Sequence, residues 1–245
     1  MPGSSDKIAK MLSEQTLSTV AGYWAEEMGC PAKDLFREPI QMISHGERLA
    51  DYNGIFALFR DGQAIVSFPE GRMEAFRDRL PGSSFSPAEM AAAFSDFTVI
   101  GPAYIGYAES ISPALSFVRS LGPEDRLQAD SLRTACSEAE WDHGGSEVGS
   151  RPASGAFADG RLVALAGYEV WDNVIAHISV VAHPAYRCRG YGRGVVAHLA
   201  AAALQAGLIP QYRTLDSNTG SIRIAEALGF ERCATSVAVR LGVEH

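Results

Sequence analysis

Between His183 and Gly207 the chain reads HPAYRCRGYGRGVVAHLAAAALQAG. Arg187, Arg189 and Arg193 are interleaved with Gly190, Gly192 and Gly194, immediately ahead of an alanine-rich stretch of helical character. The first turn of a helix leaves backbone N–H groups unpaired, and the helix dipole adds positive potential there. Glycines let the backbone approach a ligand closely and take positive φ where a turn needs it. Guanidinium groups add forked donors that match phosphate oxygens. The stretch therefore reads as a cradle for a phosphate or pyrophosphate, with at least one of Arg187 and Arg193 on the anion. It is neither G-x-x-x-x-G-K-[ST] nor G-x-G-x-x-G followed by an acidic residue after the next strand, so neither a Walker loop nor a dinucleotide fingerprint is indicated. Its form is R-x-x-G-x-G, carried by Arg187, Gly190 and Gly192. Cys188 stands in it as a small residue suited to backbone packing rather than as a reactive thiol.

A second group capable of chemistry lies just upstream, in NVIAHISVV. Strand alternation puts Ile175, His177, Ser179 and Val181 on one face and Ala176, Ile178 and Val180 on the other. An imidazole titrates in the range useful to a general base. His177 is thus a candidate base, set against the alternative of a core histidine with one satisfied hydrogen bond. Glu169 and His183 are weaker candidates for the same task.

These residues need a strand, a loop and a helix to hold them, and the flanking sequence supplies the pattern. Asp159-Gly160 and Asp172-Asn173 mark two hairpin turns within residues 155–184. One helical stretch is expected over 122–145, ending at Gly144-Gly145. The Gly loop leads into a helix over Val195–Ala206. PQYRTLD follows as a strand, and SNTGSIRIAEALG as a helix closed by Gly229 at its C-terminal cap. FERCATSVAVRL is the last strand. In the first half, Ser13–Gly29 has helical spacing with a cap near Ser13 or Thr16, and Asn53–Pro69 is a hairpin around Asp61-Gly62. Phe97–Ser110 is a further strand. Pro113 marks a joint, so the expected organisation is an N-terminal α/β subdomain over 1–112 and a second domain over 113–245.

Composition narrows the function classes. The 47% hydrophobic content of 245 residues is enough for a sizeable core in an ordinary soluble protein. A formal charge of −8 argues against a nucleic-acid surface, which needs clustered cations. Cys30, Cys136, Cys188 and Cys233 show no metal-ligand spacing, so neither a metal site nor a disulfide framework is expected. MPGSSDKIAK lacks the apolar core of a secretory signal, and Val195–Leu208 is too short to cross a bilayer. The expected location is the cytoplasm, with no membrane partner.

The R-x-x-G-x-G loop after VVAHP, together with NTGSIRIAEALGF, resembles the GNAT (GCN5-related) N-acetyltransferase superfamily. Asn218, Ser221, Gly229 and Phe230 stand at that family's spacing, and Val118–Leu132 resembles its opening strand and helix. The resemblance runs from about Leu115 to Leu241. It implies the acyl-CoA N-acyltransferase fold, a mixed α/β sheet, with acetyl-CoA as co-substrate and no metal. It implies a pyrophosphate held by Cys188, Arg189, Gly190, Tyr191, Gly192, Arg193 and Gly194, with Arg187, Asn218 and Ser221 as further cofactor contacts. The pantetheine arm would pair with Ser179 to Ala182, and a backbone N–H near Val180 or Val181 would hold the oxyanion. The acceptor would be a primary amine of a small molecule or peptide, attacking directly in a ternary complex. Asn218 also fits a plain helix N-cap, and the two roles are compatible. One position departs from the family: Ala225 stands where many relatives place a tyrosine as general acid. Tyr212 or Ser221 would then serve, or the thiolate would leave unaided. A non-catalytic acyl-CoA-binding protein is the alternative reading, and a homodimer is compatible with the sequence.

Overall fold

The structure is a computed structural model of the chain, and it describes residues 12–80, 85–111 and 117–242. The first ten residues read above for targeting, and the joint at Pro113, lie outside the described residues. The first half contributes α1 (Glu14–Met28), β1 (Ile40–Ser44), β2 (Gly54–Arg60), β3 (Gln63–Phe68), α2 (Met73–Phe76), α3 (Pro87–Ala93) and β4 (Thr98–Tyr107). The second half contributes β5 (Val118–Ser120), α4 (Arg126–Ala135), α5 (Glu138–Gly144), β6 (Ala153–Ala158), β7 (Arg161–Trp171), β8 (Ile175–Ala182), α6 (Tyr191–Gln205), β9 (Ile209–Leu215), α7 (Thr219–Leu228) and β10 (Glu231–Arg240).

Turn chemistry places most of these elements. Ser13 caps α1 by accepting from the Thr16 N–H, and Gly29 closes it in the left-handed region. Asp61 and Gly62 both have positive φ, as do Asp159 and Gly160, and Asp172 and Asn173. That is the requirement of tight two-residue hairpins. The single helix expected over 122–145 is two helices. Ser137 accepts from the Glu140 N–H while the Glu140 carboxylate takes the Ser137 N–H, and this capping box starts α5 afresh. The helix after the Gly loop begins at Tyr191, four residues earlier than expected, because Gly190 itself takes the capping position at φ +85°. Gly192 and Gly194 lie inside the first turn.

All ten strands form one sheet in the order β1-β3-β2-β10-β4-β9-β8-β7-β6-β5. Only β1–β3 and β8–β9 pair in parallel. Strand β10, the last in sequence, lies between β2 and β4 of the first half and pairs antiparallel with both. One face of the sheet buries Ala176 and Ile178 of β8 against Val196 and Ala200 of α6, with α7 beside them. The alanines of α6 let the helix lie close to the strands. The other face carries α1 over Phe56, Leu58, Tyr107 and Ile175, and α4 with α5 over Leu165 and Val181. No helix among the described residues is long and apolar enough to cross a membrane.

Candidate functional site

The parallel pair β8–β9 is joined by α6, the crossover that parallel neighbours require. Its registered pairing covers Ile175–Ile178 against Ile209–Tyr212 and stops there. Beyond it, β8 continues against β7 as far as Ala182, and β9 continues against β4 as far as Leu215. The two strands fork, and the fork opens toward the N-termini of α6 and α7.

Backbone direction inside the fork follows from two hydrogen bonds. The Ile209 N–H donates to the Val174 carbonyl at 2.8 Å, across to β9, and the His183 N–H donates to the Val163 carbonyl at 2.9 Å, across to β7. Backbone groups alternate sides along a strand. Even-numbered residues of β8 therefore face β9 and odd-numbered ones face β7. Within the fork, the N–H of Val180 points to the open side. The N–H of Val181 points to its ladder partner Leu165 and is spent there. Of the two backbone donors suggested by sequence, the geometry leaves Val180.

A cavity of about 590 Å³ fills the fork, and His177, Val180, Val181, Arg187, Asn218 and Ser221 all line it. Its outer wall is the end of α5. A Cβ on Gly144 would stand 2.3 Å from the Val180 carbonyl oxygen, so only glycine lets α5 sit this close to β8. Beyond the fork lies the Gly loop. Cys188, exposed, turns the chain at φ +60°. The first bond of α6 runs from the Gly194 N–H to the Gly190 carbonyl at 2.9 Å. No side chain caps the helix, so the N–H groups of Tyr191, Gly192 and Arg193 are free ahead of that bond.

The three arginines differ in their commitments. Arg187 donates from Nε to the Ala182 carbonyl and from its terminal nitrogen to Glu140 at 2.7 Å. That pair is half exposed and cheap to exchange for another anion. Arg189 lies over the Tyr186 ring at 5.2 Å. Arg193 makes no ion pair among the described residues. Asn218 caps α7 by accepting from the Ser221 N–H. The Tyr212 hydroxyl donates to Ser221 Oγ at 3.2 Å, and burial holds the phenol above its ordinary pKa, so it stays protonated. Ala225 is wholly buried on the inner face of α7.

His177 is at the crotch of the fork. Its Nδ1 lies 2.7 Å from Gln211 Oε1, and its ring stacks on Trp171 with centroids 4.1 Å apart. Gln211 donates in turn to the Tyr107 hydroxyl at 2.6 Å, which also accepts from Trp24 Nε1 at 2.8 Å. With Gln211 Oε1 as acceptor, Nδ1 carries the imidazole proton and Nε2 carries the lone pair. Burial is the main cause that pushes the imidazole down to about 4, so the ring is neutral at neutral pH. The two weaker candidates are engaged elsewhere. Glu169 pairs with Arg151, and His183 Nδ1 accepts from the Ala185 N–H at 3.1 Å.

Behind His177, on the α1 face, lies a second cavity of about 720 Å³. Tyr23, Trp24, Tyr52, Phe56 and Trp171 supply its rings, Glu27, Arg48, Asp172 and Arg240 its charges, and Arg213 lines both cavities. None of these residues was read from the sequence as part of a site; Asp172 entered only as half of a hairpin turn. Arg213 sits in a strand, two residues past Gln211, and only the topology brings α1 over it. Among the described residues no cluster could hold a metal.

Residues 119–230 match the model of the acetyltransferase (GNAT) family. No curated protein matches the chain. A GNAT-family acetyltransferase from Colwellia psychrerythraea has the same fold over 95% of this chain and 98% of its own, at 13% identity and a TM-score of 0.51. A GNAT-family protein from Novosphingobium aromaticivorans is 26% identical over 58% of this chain and 64% of its own length, with a TM-score of 0.46. An acetyltransferase structure from Salmonella typhimurium, containing its cofactor acetyl-CoA, aligns over 53% of this chain and 96% of its own at 16% identity and a TM-score of 0.40. Residues 119–230 are thus matched as a GNAT acetyltransferase domain, and the fold shared with the Colwellia psychrerythraea protein extends across the first half as well.

Proposed function

We propose that this protein transfers the acetyl group of acetyl-CoA to a primary amine, with both substrates bound at once. The observation that carries the reading is the fork between β8 and β9. An unpaired strand edge beside a capless helix N-terminus suits a ligand that is amide-rich at one end and a pyrophosphate at the other. The pantetheine amides pair with the free edge of β8 as an added strand would. The pyrophosphate meets the N–H groups of Tyr191 to Arg193, with Arg193 free and Arg187 exchanging Glu140 for phosphate. Cys188, Arg189, Gly190 and Gly194 shape that loop, and Asn218 and Ser221 border the fork.

The thioester then lies at the crotch, beside His177. The neutral amine attacks the acyl carbon, a C–N bond forms, and the carbonyl oxygen takes the negative charge. The Val180 N–H is directed to stabilise it. The nitrogen of that adduct is far more acidic than a free ammonium, so even a weakly basic imidazole can take its proton on Nε2. The adduct collapses, the C–S bond breaks, and the thiolate leaves as the thiol. With alanine at position 225, the proton for sulfur comes along Tyr212 and Ser221, because Tyr212 donates to Ser221 Oγ and leaves the serine proton free to face the fork. The products are the acetamide and CoA. Residues 1–112 have the complementary task of shaping access for the amine, since α1 and the segment before β2 wall the second cavity. Calorimetric titration with acetyl-CoA, followed by thiol release over a panel of amines, tests the proposal. Absence of acetyl-CoA binding would overturn it. Binding without turnover on any amine would favour a non-catalytic acyl-CoA-binding protein.

A further inference from the structure

We infer that the acceptor is an α-amino acid with an aromatic or large apolar side chain, held by its carboxylate on Arg213. The inference rests on the acetyltransferase reading and specifies its second substrate. Arg213 stands where the two cavities meet. Of its five N–H donors, one is used in the fold, from a terminal nitrogen to Ser236 Oγ at 3.0 Å. Its guanidinium lies 5.7 Å from the centre of the Phe56 ring, and it forms no ion pair among the described residues. Arg213 is half-buried and has no hydrogen-bonded carboxylate of its own among the described residues, Glu27 acting on it only through space, so a ligand carboxylate can take its fork in two parallel bonds.

The other charges of the cavity do not neutralise it. Asp172 and Glu27 are both engaged by Arg48, which also reaches Glu26. Among the described residues Arg240 makes no ion pair either. With Glu26 counted beside Arg48, three arginines face three carboxylates, but the carboxylates gather at Arg48 and leave the positive charge local to Arg213 and Arg240. Burial reinforces the point from both sides: it lowers the Arg213 pKa and raises that of Glu27, so each charge is short of solvent. Such a lining disfavours a polycation.

Geometry then selects the α-amino acid. Arg213 is one residue past the last registered pair of β8 with β9, and its guanidinium reaches over β4 toward Ser236 of β10, on the first-half side of the fork. An amine that reaches the fork while its carboxylate is held there belongs to one small molecule carrying both groups, and an α-amino acid is the class that also offers a third substituent. The third substituent is left to point along the cavity, between Tyr23, Trp24 and Phe56. Those rings suit an apolar body.

The test uses the full chain and three matched probes: phenylalanine, phenylalanine amide and phenethylamine, with spermidine as the polycation. Expected is acetyl transfer to phenylalanine with a KM about 10- to 100-fold below those of the two probes without a carboxylate, the range for a lost hydrogen-bonded charge contact. Arg213→Gln should erase that preference, and Arg213→Lys should keep part of it. Melting temperature and the acetyl-CoA Kd should be unchanged in both. Equal use of the three probes by the wild-type protein, preference for spermidine, or an intact carboxylate preference in Arg213→Gln would overturn the inference. So would acetyl-CoA binding without turnover on phenylalanine. Failure to bind acetyl-CoA at all would instead strike the acetyltransferase reading on which it rests.

Discussion

At the scale of single residues, His177 is the group whose surroundings change its chemistry most. The sequence placed it on a strand face and suggested a base titrating near 6.5. The strand is as expected, but the stack on Trp171 and the bond to Gln211 were invisible, because both partners come from other strands. Burial moves the imidazole to about 4. Two consequences are measurable. If His177 is the base, kcat/KM should show no inflection near 6.5 from the enzyme. Any rise above that pH should track the pKa of the amine, and His177→Ala should cost roughly 10²–10⁴-fold in kcat. An inflection near 6.5 that disappears in His177→Ala would show that the ring is not depressed. The second consequence is for stability. The folded-state pKa lies below the unfolded one, so the contribution is complete above pH 6.5. It is lost at roughly 1.4 kcal/mol per pH unit as the pH falls toward 4, where the folded form also takes a proton. His45, also lowered by burial, adds to the same slope. Urea denaturation of His177→Gln between pH 4 and 7 should therefore give a shallower pH dependence than the wild type, though not a flat one. Equal slopes in the two proteins would refute the account.

At the scale of elements, local chemistry was readable and register was not. Hairpins at Asp159-Gly160 and Asp172-Asn173 and the caps at Ser13 and Gly229 follow from short-range rules, and each is where the sequence put it; the Gly loop gives way to helix four residues sooner than expected. The fork depends on where pairing between β8 and β9 stops, a matter of two strands separated by α6. Only the register shows that Val180, rather than Val181, turns its N–H into the fork. The capping box at Ser137 was legible in principle, as S-x-x-E, but lay hidden in a longer helical pattern. The Gly loop itself offers a clean separation of binding from folding. A Cβ on Gly192 would meet only Ile224 Cδ1, at 3.4 Å, and its backbone is helical. An aspartate in the first turn of α6 should even favour the helix, by about 0.3–1 kcal/mol through the dipole. Yet it puts a negative charge where the pyrophosphate must lie. Gly192→Asp should keep or raise the melting temperature while the calorimetric affinity for CoA collapses. Wild-type affinity in this variant would rule out the loop as the phosphate site.

At the scale of the whole molecule, the two halves on either side of residue 112 share one sheet. The fork and the Gly loop belong to the second half, and the rings of the second cavity come mostly from α1 and β2 of the first. The strands, however, are shared. β10 closes the chain by pairing with β2 on one side and β4 on the other, and β9 takes its second partner from β4. Removing the first half would strip β10 of both neighbours at once and bare Val237 and Val239, now fully buried. Unpaired backbone and exposed β-branched residues on a long free edge favour aggregation over folding. Sequence alone pointed the other way, since nothing in FERCATSVAVRL tells which strands will flank it. The intact protein should accordingly unfold in one transition, with near-ultraviolet ellipticity and tryptophan fluorescence coincident. A chain starting at Phe117 should be insoluble or unfolded by circular dichroism when made alone, and regain structure and acetyl-CoA binding when produced together with residues 1–116. A fragment starting at Phe117 that folds alone with a cooperative melt and normal acetyl-CoA affinity would mean that β10 needs neither neighbour, and that the two halves are joined by the sheet without depending on it.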